Sequence, residues 1–214
     1  PLEIQKEIVE KHLNNDFGYI FKFAHQKSPL GTGDAVKWAV KHLSEKVDTV
    51  LILSGDVPLI TYEIISNLLE LHKSPVTITS IELENPMGYG RIVRDKDRVV
   101  KIVEEKNATE EEKKIKEVNA GLYCFDKEFL LKNIDRLSPN ELTKEYYLTD
   151  LIDIAGSEGI EIGCYFEKEG WRLLGINSRV ELAIANAYLQ SEIINKFMLN
   201  GVTIISPERV YIEK

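Results

Sequence analysis

Apolar residues recur along the chain with two different periods, and segments of the two kinds alternate. Spacings of three and four residues are typical of an amphipathic helix, and short apolar runs rich in β-branched residues are typical of strands. The predicted order is helix 2–13, strand 19–24, helix 31–43, strand 49–53, helix 63–72 and strand 76–83. Thr61 stands where it can cap the helix 63–72. This alternation predicts an α/β fold, a Rossmann-like doubly wound sheet with helices on both faces.

The pattern changes after residue 90, where polar residues 95–97 separate two short apolar runs and predict a hairpin. The longest helical pattern covers 178–199 and ends at Asn200-Gly201, and both residue types are common at helix C-termini. The other elements are predicted as strands 91–94 and 98–104, a short charged helix 110–116, strand 117–125, helices 126–134 and 148–155, and strands 160–166, 173–176, 202–205 and 210–212.

Asp56 is the most informative single position. It follows the apolar run Val50-Leu51-Ile52-Leu53, which has the composition of a parallel strand buried on both faces, through Ser54-Gly55. Ligands of open α/β sheets bind outside the carboxyl ends of such strands. One carboxylate there can hold Mg²⁺, because this ion keeps several waters and bridges to substrate phosphates. The alternative interpretation is a polar turn that only leaves the strand.

Four further positions are candidates by residue type. Gly31-Thr32-Gly33 precedes a predicted helix, where free N–H groups favour anions or polar ligand edges. Gly88-Tyr89-Gly90-Arg91 opens the predicted hairpin. Glu104 ends one strand and Asn119 lies inside another, and a carboxylate and an amide suit sugar hydroxyls. Each has a local alternative: a plain turn, a β-bulge, or a cap of its own element.

Charge and cysteine usage exclude several function classes. A net charge of −8 and a pI near 5.2 argue against nucleic-acid partners, which are bound by a surplus of Lys and Arg. No apolar run reaches the roughly eighteen residues of a membrane span. Cys124 and Cys164 lack a CxxC spacing and predict reduced core thiols in a cytoplasmic protein, and the four histidines show no zinc spacing.

Taken in order, a series of short motifs resembles the bacterial N-acetylglucosamine-1-phosphate uridylyltransferases. From about residue 15 to the end, the motifs occur in the same order as in the family and at approximately the same spacing. The matching stretches are Gln26 with Leu30-Gly31-Thr32-Gly33, Gly55-Asp56-Val57-Pro58-Leu59, Gly88-Tyr89-Gly90-Arg91-Ile92, Ile102-Val103-Glu104, Asn119-Ala120-Gly121, Glu145-Tyr146-Tyr147-Leu148-Thr149-Asp150 and Gly175-Ile176-Asn177.

The resemblance implies a role for each matching position. In the family, the residues that match Asp56 and Asn177 hold Mg²⁺, and carboxylate and amide oxygens are ligands suited to this ion. A cap of the following helix is the alternative role for Asn177. The implied uracil contacts are Gln26, Gly31 and Thr32; the implied N-acetylglucosamine contacts are Gly90, Glu104 and Asn119, with Tyr147 and Thr149 lining the sugar pocket.

Two departures from the family pattern stand out. The family's opening strand is missing, and none of the thirteen glycines belongs to a Gly-rich triphosphate loop of the family's kind. Ser54 stands where relatives often have Tyr. The resemblance therefore implies an N-terminally incomplete nucleotidyltransferase domain over 1–177, with the mixed sheet of nucleotide-diphospho-sugar transferases. A linker helix over 178–200 and the first turn of a left-handed β-helix over 201–214 would follow.

The implied reaction joins UTP to N-acetylglucosamine-1-phosphate, giving UDP-N-acetylglucosamine and pyrophosphate. It requires alignment of the reactants and charge neutralisation, with no side-chain nucleophile. The parent protein would also be a glucosamine-1-phosphate acetyltransferase and a homotrimer. The alternatives are a thymidylyl- or adenylyltransferase acting on glucose-1-phosphate and a non-catalytic subunit that senses sugar nucleotides. The segments 146–150 and 175–177 favour the N-acetylglucosamine branch.

Overall fold

The computed structural model describes residues 2–18 and 20–213. They form two compact units. The first unit comprises the residues up to Asp48 together with Lys127–Leu151, and the second comprises Thr49–Asp126 together with the residues from Ile152 onward. Within the described residues, no helix is both long enough and apolar enough to span a membrane.

Helices and strands follow one another much as the periodicity predicts. The helices are α1 (Leu2–Phe17), α2 (Thr32–Ala39), α3 (Tyr62–Leu71), α4 (Lys127–Asn133), α5 (Asp150–Ser157) and α6 (Arg179–Leu199). The strands are β1 (Thr49–Leu53), β2 (Val76–Glu82), β3 (Arg91–Asp95), β4 (Arg98–Val103), β5 (Glu117–Asp126) and β6 (Ile162–Phe166). Short 3₁₀ turns occur at Val40–His42, Glu105–Asn107, Glu112–Lys114, Ile134–Arg136, Gly170–Leu173 and Pro207–Arg209.

The second unit is built on one mixed sheet, as predicted. Its strand order is β4-β3-β5-β2-β6, with β1 paired to β5 as well. The long strand β5 pairs with β2 on one side, and on the other with β3 near its start and β1 near its end. Only the β2–β6 pair is parallel among the strands of the described residues. The prediction of a mixed α/β sheet with helices is therefore confirmed.

The core of the second unit lies between this sheet and α3. Thr61 caps α3 as predicted, because its Oγ1 accepts the Ile64 N–H at 3.3 Å. This cap fixes the helix so that it presents its apolar side to β5. Both cysteines are unpaired, and burial raises the pKa of the Cys124 thiol to about 11. The buried cluster comprises Val57, Ile64, Leu68, Ile81, Val118, Ala120, Leu122, Cys124 and Leu173.

The prediction that β1 is a parallel strand buried on both faces is wrong. β1 runs antiparallel to β5, from Thr49 opposite Asp126 to Leu53 opposite Leu122. Leu53 is 41% exposed. An apolar run indicates a tendency to be buried, but strand direction depends on the partner strand, which here lies far away in the sequence.

Several short predicted strands do not form. The described residues 20–24 are not a strand, and Tyr19 of that prediction lies outside the described residues. The predicted helix 110–116 is reduced to a 3₁₀ turn. Residues 173–176, 202–205 and 210–212 join no ladder, because a short β-branched run becomes a strand only where a partner edge meets it. The predicted helix of 178–199 is present as α6, whereas its role as a linker and the β-helix turn after it stay predictions.

Candidate active site

The turn after β1 holds Asp56 in the second unit. The Ser54 hydroxyl donates to the Gly121 carbonyl at 3.0 Å, which ties the start of the turn to β5. The Ile176 N–H donates to the Asp56 carbonyl at 2.9 Å and brings a distant segment of chain alongside the turn. The Asp56 side chain itself is exposed. The carboxylate therefore stands at the end of β1, as predicted, on a turn that is fixed from both sides.

Gly175 is the point at which Asp56 and Asn177 come together. A Cβ placed on Gly175 would lie 3.2 Å from Asp56 Oδ2 and 3.7 Å from Asn177 Nδ2. Both side chains thus border one small exposed space, although 173–176 is not the strand that the sequence predicts. The backbone hydrogen bond from Ile176 to Asp56 brings the two segments together.

The helix α6 does not use Asn177 as its cap. Ser178 is the N-cap, because its hydroxyl accepts the Glu181 N–H at 3.2 Å. The Asn177 backbone N–H donates to Glu181 Oε2 at 2.7 Å. This hydrogen bond, together with one from the Ser178 hydroxyl, holds the pKa of Glu181 below its ordinary value. The alternative role of Asn177 as a cap is therefore wrong, and its side chain faces Gly175.

Tyr89 lies at the same place, and no role was predicted for it from the sequence. Its ring packs against the core cluster and is half-buried. Burial raises the pKa of the Tyr89 hydroxyl, a hydrogen bond with the Gly175 backbone opposes this, and the negative charges of Glu181 and Asp56 raise it further. An aromatic residue between Gly88 and Gly90 was the available signal, because a large ring beside two glycines often marks a close approach of backbone.

Gly90, Glu104 and Asn119 form a second cluster in this unit. A Cβ on the buried Gly90 would lie 3.0 Å from Ile102 Cγ2 and 3.5 Å from Glu104 Oε2, so the carboxylate lies over the glycine. The Asn119 N–H donates to the Gly90 carbonyl at 2.9 Å. The residue before β3, the residue after β4 and one residue of β5 thus bring the three predicted sugar-contacting positions to one location.

The Asn119 side chain is held by its own strand. Its Nδ2 donates to the Tyr123 hydroxyl at 2.6 Å, and its Oδ1 accepts the Gly121 N–H at 3.2 Å. Burial raises the pKa of Tyr123, which therefore stays neutral as a hydrogen-bond partner. The amide is consequently oriented before any ligand arrives.

The predicted base-contacting residues lie in the first unit, on the loop before α2. Gln26 Nε2 donates to the Gly31 carbonyl at 3.2 Å and to Asp34 Oδ2 at 2.7 Å. Thr32 Oγ1 accepts the Leu148 N–H at 3.0 Å. Gln26, Gly31 and Thr32 are therefore brought together, and their loop is attached to the segment that contains Tyr147.

Gly31 is held where no side chain fits. Its φ is +98°, and a Cβ would lie 2.5 Å from the Tyr146 carbonyl oxygen. That oxygen also accepts the Gly33 N–H at 2.8 Å, and the Tyr146 N–H donates to Leu30 at 2.7 Å. The loop and the 146–148 segment thus approach each other backbone to backbone.

Tyr147 and Thr149 also lie in the first unit. The Tyr147 hydroxyl is 2.8 Å from Thr143 Oγ1, and Thr149 is 3% exposed. They belong to the same unit as Gln26, Gly31 and Thr32. Their place in the sugar pocket stays a prediction. Within the described residues, no three His, Cys, Asp or Glu side chains are grouped so that they could hold a metal ion.

Comparison with known proteins gives the family. The family model of the nucleotidyl transferases matches residues 3–186. The chain belongs to the nucleotidyl transferase family. The chain of this nucleotidyl transferase is 45% identical over 193 residues to a bifunctional protein GlmU of Alkaliphilus metalliredigens, and 43% identical over 195 residues to one of Streptococcus pyogenes serotype M1. These matches cover 88% and 89% of this chain and 42% of each relative, so the chain spans about two fifths of their length.

A solved structure supports the same fold. The nucleotidyl transferase resembles 4-diphosphocytidyl-2C-methyl-D-erythritol synthase from Anaerococcus prevotii with a TM-score of 0.59 at 18% identity. The similarity covers 86% of this chain and 77% of that one. It shows a common fold, while the chemistry of this nucleotidyl transferase is argued from its own residues.

Proposed function

We propose that this nucleotidyl transferase forms UDP-N-acetylglucosamine and pyrophosphate from UTP and N-acetylglucosamine-1-phosphate. The observation that carries the proposal is the convergence on one location of Gly90, Glu104 and Asn119, which lie before β3, after β4 and within β5. A carboxylate beside an oriented amide suits a ligand with several hydroxyl groups and an amide. The resemblance of the surrounding motifs supports the same sugar.

The reaction needs no residue that attacks the substrate. An oxygen of the sugar phosphate forms a bond to the α-phosphorus of UTP, the bond from that phosphorus to the bridging oxygen breaks, and pyrophosphate leaves with the electron pair. In this proposal Glu104 accepts a hydrogen bond from a sugar hydroxyl, and Asn119 fixes the ring. Alignment of this kind lowers the barrier by removing the entropy of encounter.

Asp56 and Asn177 are the residues that would hold Mg²⁺. The fit is one of chemistry: an Asp carboxylate and an Asn side chain border the same space at Gly175, and oxygen donors are what Mg²⁺ prefers. When bound, the ion would neutralise charge on the phosphates. Two protein ligands are enough, since Mg²⁺ keeps several waters and takes further oxygens from the phosphates.

The nucleotide base would lie against the loop of Gly31. The missing side chain at Gly31 lets this loop pack directly on the backbone of Tyr146, which holds the loop in place for the base. Gln26 and Thr32 would recognise the edge of uracil by hydrogen bonds, as the resemblance implies. A second, acetyltransferase activity, a trimeric assembly and a cytoplasmic location of the parent protein are part of the same proposal. The relatives are named bifunctional, which supports a second activity.

Release of pyrophosphate tests the proposal directly. The enzyme that carries this chain is given UTP with N-acetylglucosamine-1-phosphate, and in parallel dTTP or ATP with glucose-1-phosphate. The first pair should be used fastest, and Asp56→Asn should abolish the reaction. Faster use of glucose-1-phosphate would establish the alternative enzyme. Binding of UDP-N-acetylglucosamine without turnover of any pair would establish a sensing subunit.

A further inference from the structure

Arg91 is an arginine with almost no contact with solvent. It is 1% exposed, at the start of β3 and directly after Gly90. Its Nη2 donates to Glu105 Oε2 at 2.6 Å, and its Nη1 donates to the Tyr89 carbonyl. The same Glu105 oxygen accepts the Gly88 N–H at 3.2 Å. One carboxylate therefore holds both the arginine and the loop that precedes it.

The ion pair connects the two sides of the proposed sugar pocket. Arg91 follows Gly90 in the chain, and Glu105 follows Glu104. The ladder between β3 and β4 ends at the pair of Arg91 and Val103, so its hydrogen bonds do not extend to Gly90 and Glu104. Beyond Val103 the chain leaves the ladder and enters the 3₁₀ turn Glu105–Asn107, where the Asn107 N–H donates to the Glu104 carbonyl at 2.8 Å. The Arg91–Glu105 pair ties the first residue of this turn to β3.

Stability alone is a poor reason for this pair. Burial of an arginine requires removal of its hydration, which an ion pair often does not fully offset. Within the described residues, Arg91 Nε is buried without a hydrogen-bond partner, a further unfavourable contribution. A buried pair with an unfavourable component is better explained by the geometry that it imposes.

We propose that Arg91 and Glu105 are a positioning pair that sets the location of Glu104 relative to Gly90 and thereby determines the affinity for the sugar phosphate. Neither residue has to touch the substrate. The inference rests on the proposed function, since it assigns this pair to the sugar side of the same site.

The strand β3 also provides a matched control. Three residues after Arg91, Arg94 binds Glu117 with two hydrogen bonds, Nε to Oε2 at 2.7 Å and Nη2 to Oε1 at 2.6 Å. This pair is also formed by an arginine of β3 and a glutamate, but it adjoins neither Gly90 nor Glu104. Glu117 also accepts a hydrogen bond from the Ser80 hydroxyl at 2.6 Å, so removal of its carboxylate costs at least as many hydrogen bonds as removal of that of Glu105. Only the loss of Glu105 should reach the sugar.

The experiment compares Glu105→Ala with Glu117→Ala in the enzyme that carries this chain. Isothermal calorimetry and steady-state kinetics give the Kd and KM for N-acetylglucosamine-1-phosphate and for UTP. Glu105→Ala should weaken sugar-phosphate binding at least about tenfold, as expected for a displaced charged hydrogen bond, and leave UTP binding within about twofold. Glu117→Ala should change both within about twofold.

A conservative variant separates positioning from folding. Glu105→Gln keeps an acceptor for Arg91 and should recover most of the sugar-phosphate affinity, and it provides the test if Glu105→Ala does not fold. Equal losses in the Glu105 and Glu117 variants, or equal losses for sugar phosphate and UTP, would overturn the inference. A wild-type enzyme that binds no N-acetylglucosamine-1-phosphate would instead overturn the proposed function, and the inference with it.

Discussion

The candidate base site in the first unit and the candidate sugar site in the second unit are built from different parts of the chain. In the first unit, the candidate base site is made of backbone: Gly31 and Tyr146 approach each other so closely that a methyl group cannot be inserted. In the second unit, the candidate sugar site is made of side chains, with Glu104 directly after β4 and Asn119 within β5. Backbone contact tolerates no added atom, whereas a side-chain site tolerates substitution and loses only the interaction removed.

This difference predicts two kinds of sensitivity. Substitution at the backbone site should disturb folding and binding together, because the loop and its partner segment are displaced as one. Substitution at the side-chain site should reduce the affinity for one substrate and leave stability almost unchanged. Measurements of stability and of the affinity for each substrate therefore test this contrast.

Gly31→Ala should have the largest effect. The new methyl group would meet the Tyr146 carbonyl oxygen at 2.5 Å, and its φ of +98° is unfavourable for any L-residue. We expect a loss of about 3 kcal/mol in the free energy of unfolding, together with loss of UTP binding. Urea denaturation and calorimetry provide the two measurements.

Gly18→Ala is the matched control. Gly18 also has a positive φ, +76°, but among the described residues, its chain neighbours aside, no atom lies within 4 Å of the added Cβ. It should lose only about 1 kcal/mol, from backbone strain. If both variants lost the same stability and both still bound UTP, the close approach at Gly31 would have no importance for the site.

Glu104→Ala should affect binding of the sugar phosphate alone. The carboxylate lies over Gly90 and contributes a charged hydrogen bond to the ligand in the proposed function. Its loss should reduce affinity by about 1.5–3 kcal/mol, with UTP affinity and melting temperature nearly unchanged. Calorimetry with each substrate separates the two, and weaker UTP binding would show that Glu104 serves the other ligand.

Local sequence signals predicted most of the helices and strands. The cap at Thr61, the hairpin of β3 and β4 and the long helix α6 depend on neighbours in the sequence, and all three are present. The direction of β1 and the absence of a strand at 173–176 depend on partners elsewhere in the chain. No local pattern contains that information.

The same distinction explains the residues that the sequence missed. The pairing of Arg91 with Glu105 joins positions fourteen apart, and an arginine is expected at the surface unless a partner is known. Tyr89 reaches Gly175 through the tertiary fold. By contrast, Asp56 and Glu104 were found because each follows an apolar run as a single carboxylate, which is visible in the sequence alone.

Asn177→Ala and Ser178→Ala are adjacent substitutions with opposite expected results. Asn177 faces Gly175 beside Asp56, so its loss should lower turnover, with partial recovery at high Mg²⁺ and an unchanged melting temperature. Ser178 caps α6, so its loss should reduce stability by about 1 kcal/mol and leave turnover near normal. Turnover that is insensitive to Asn177→Ala at every Mg²⁺ concentration would remove Asn177 from the metal site.

The weakest effect that we expect is a dependence of the stability of the second unit on pH. Hydrogen bonds from the Thr109 backbone, the Lys101 side chain and the Thr109 hydroxyl lower the pKa of Glu112 to about 2. The pKa values of Glu105 and Glu117 are lowered as well, by hydrogen bonds from arginines of β3 that outweigh burial. These carboxylates surround the hairpin from which the sugar site is built.

A carboxylate whose pKa is lower in the folded state stabilises that state while it is ionised. This contribution is fully present above the ordinary pKa near 4.5 and is lost as the pH falls toward about 2. The melting temperature should therefore fall below pH 5, and Glu112→Gln should reduce the slope. Glu111→Gln removes only an exposed ion pair with Lys114 and should leave the slope unchanged. Equal slopes in all three proteins would mean that ionised side chains do not hold this hairpin, and the contrast between the units would then rest on the binding measurements alone.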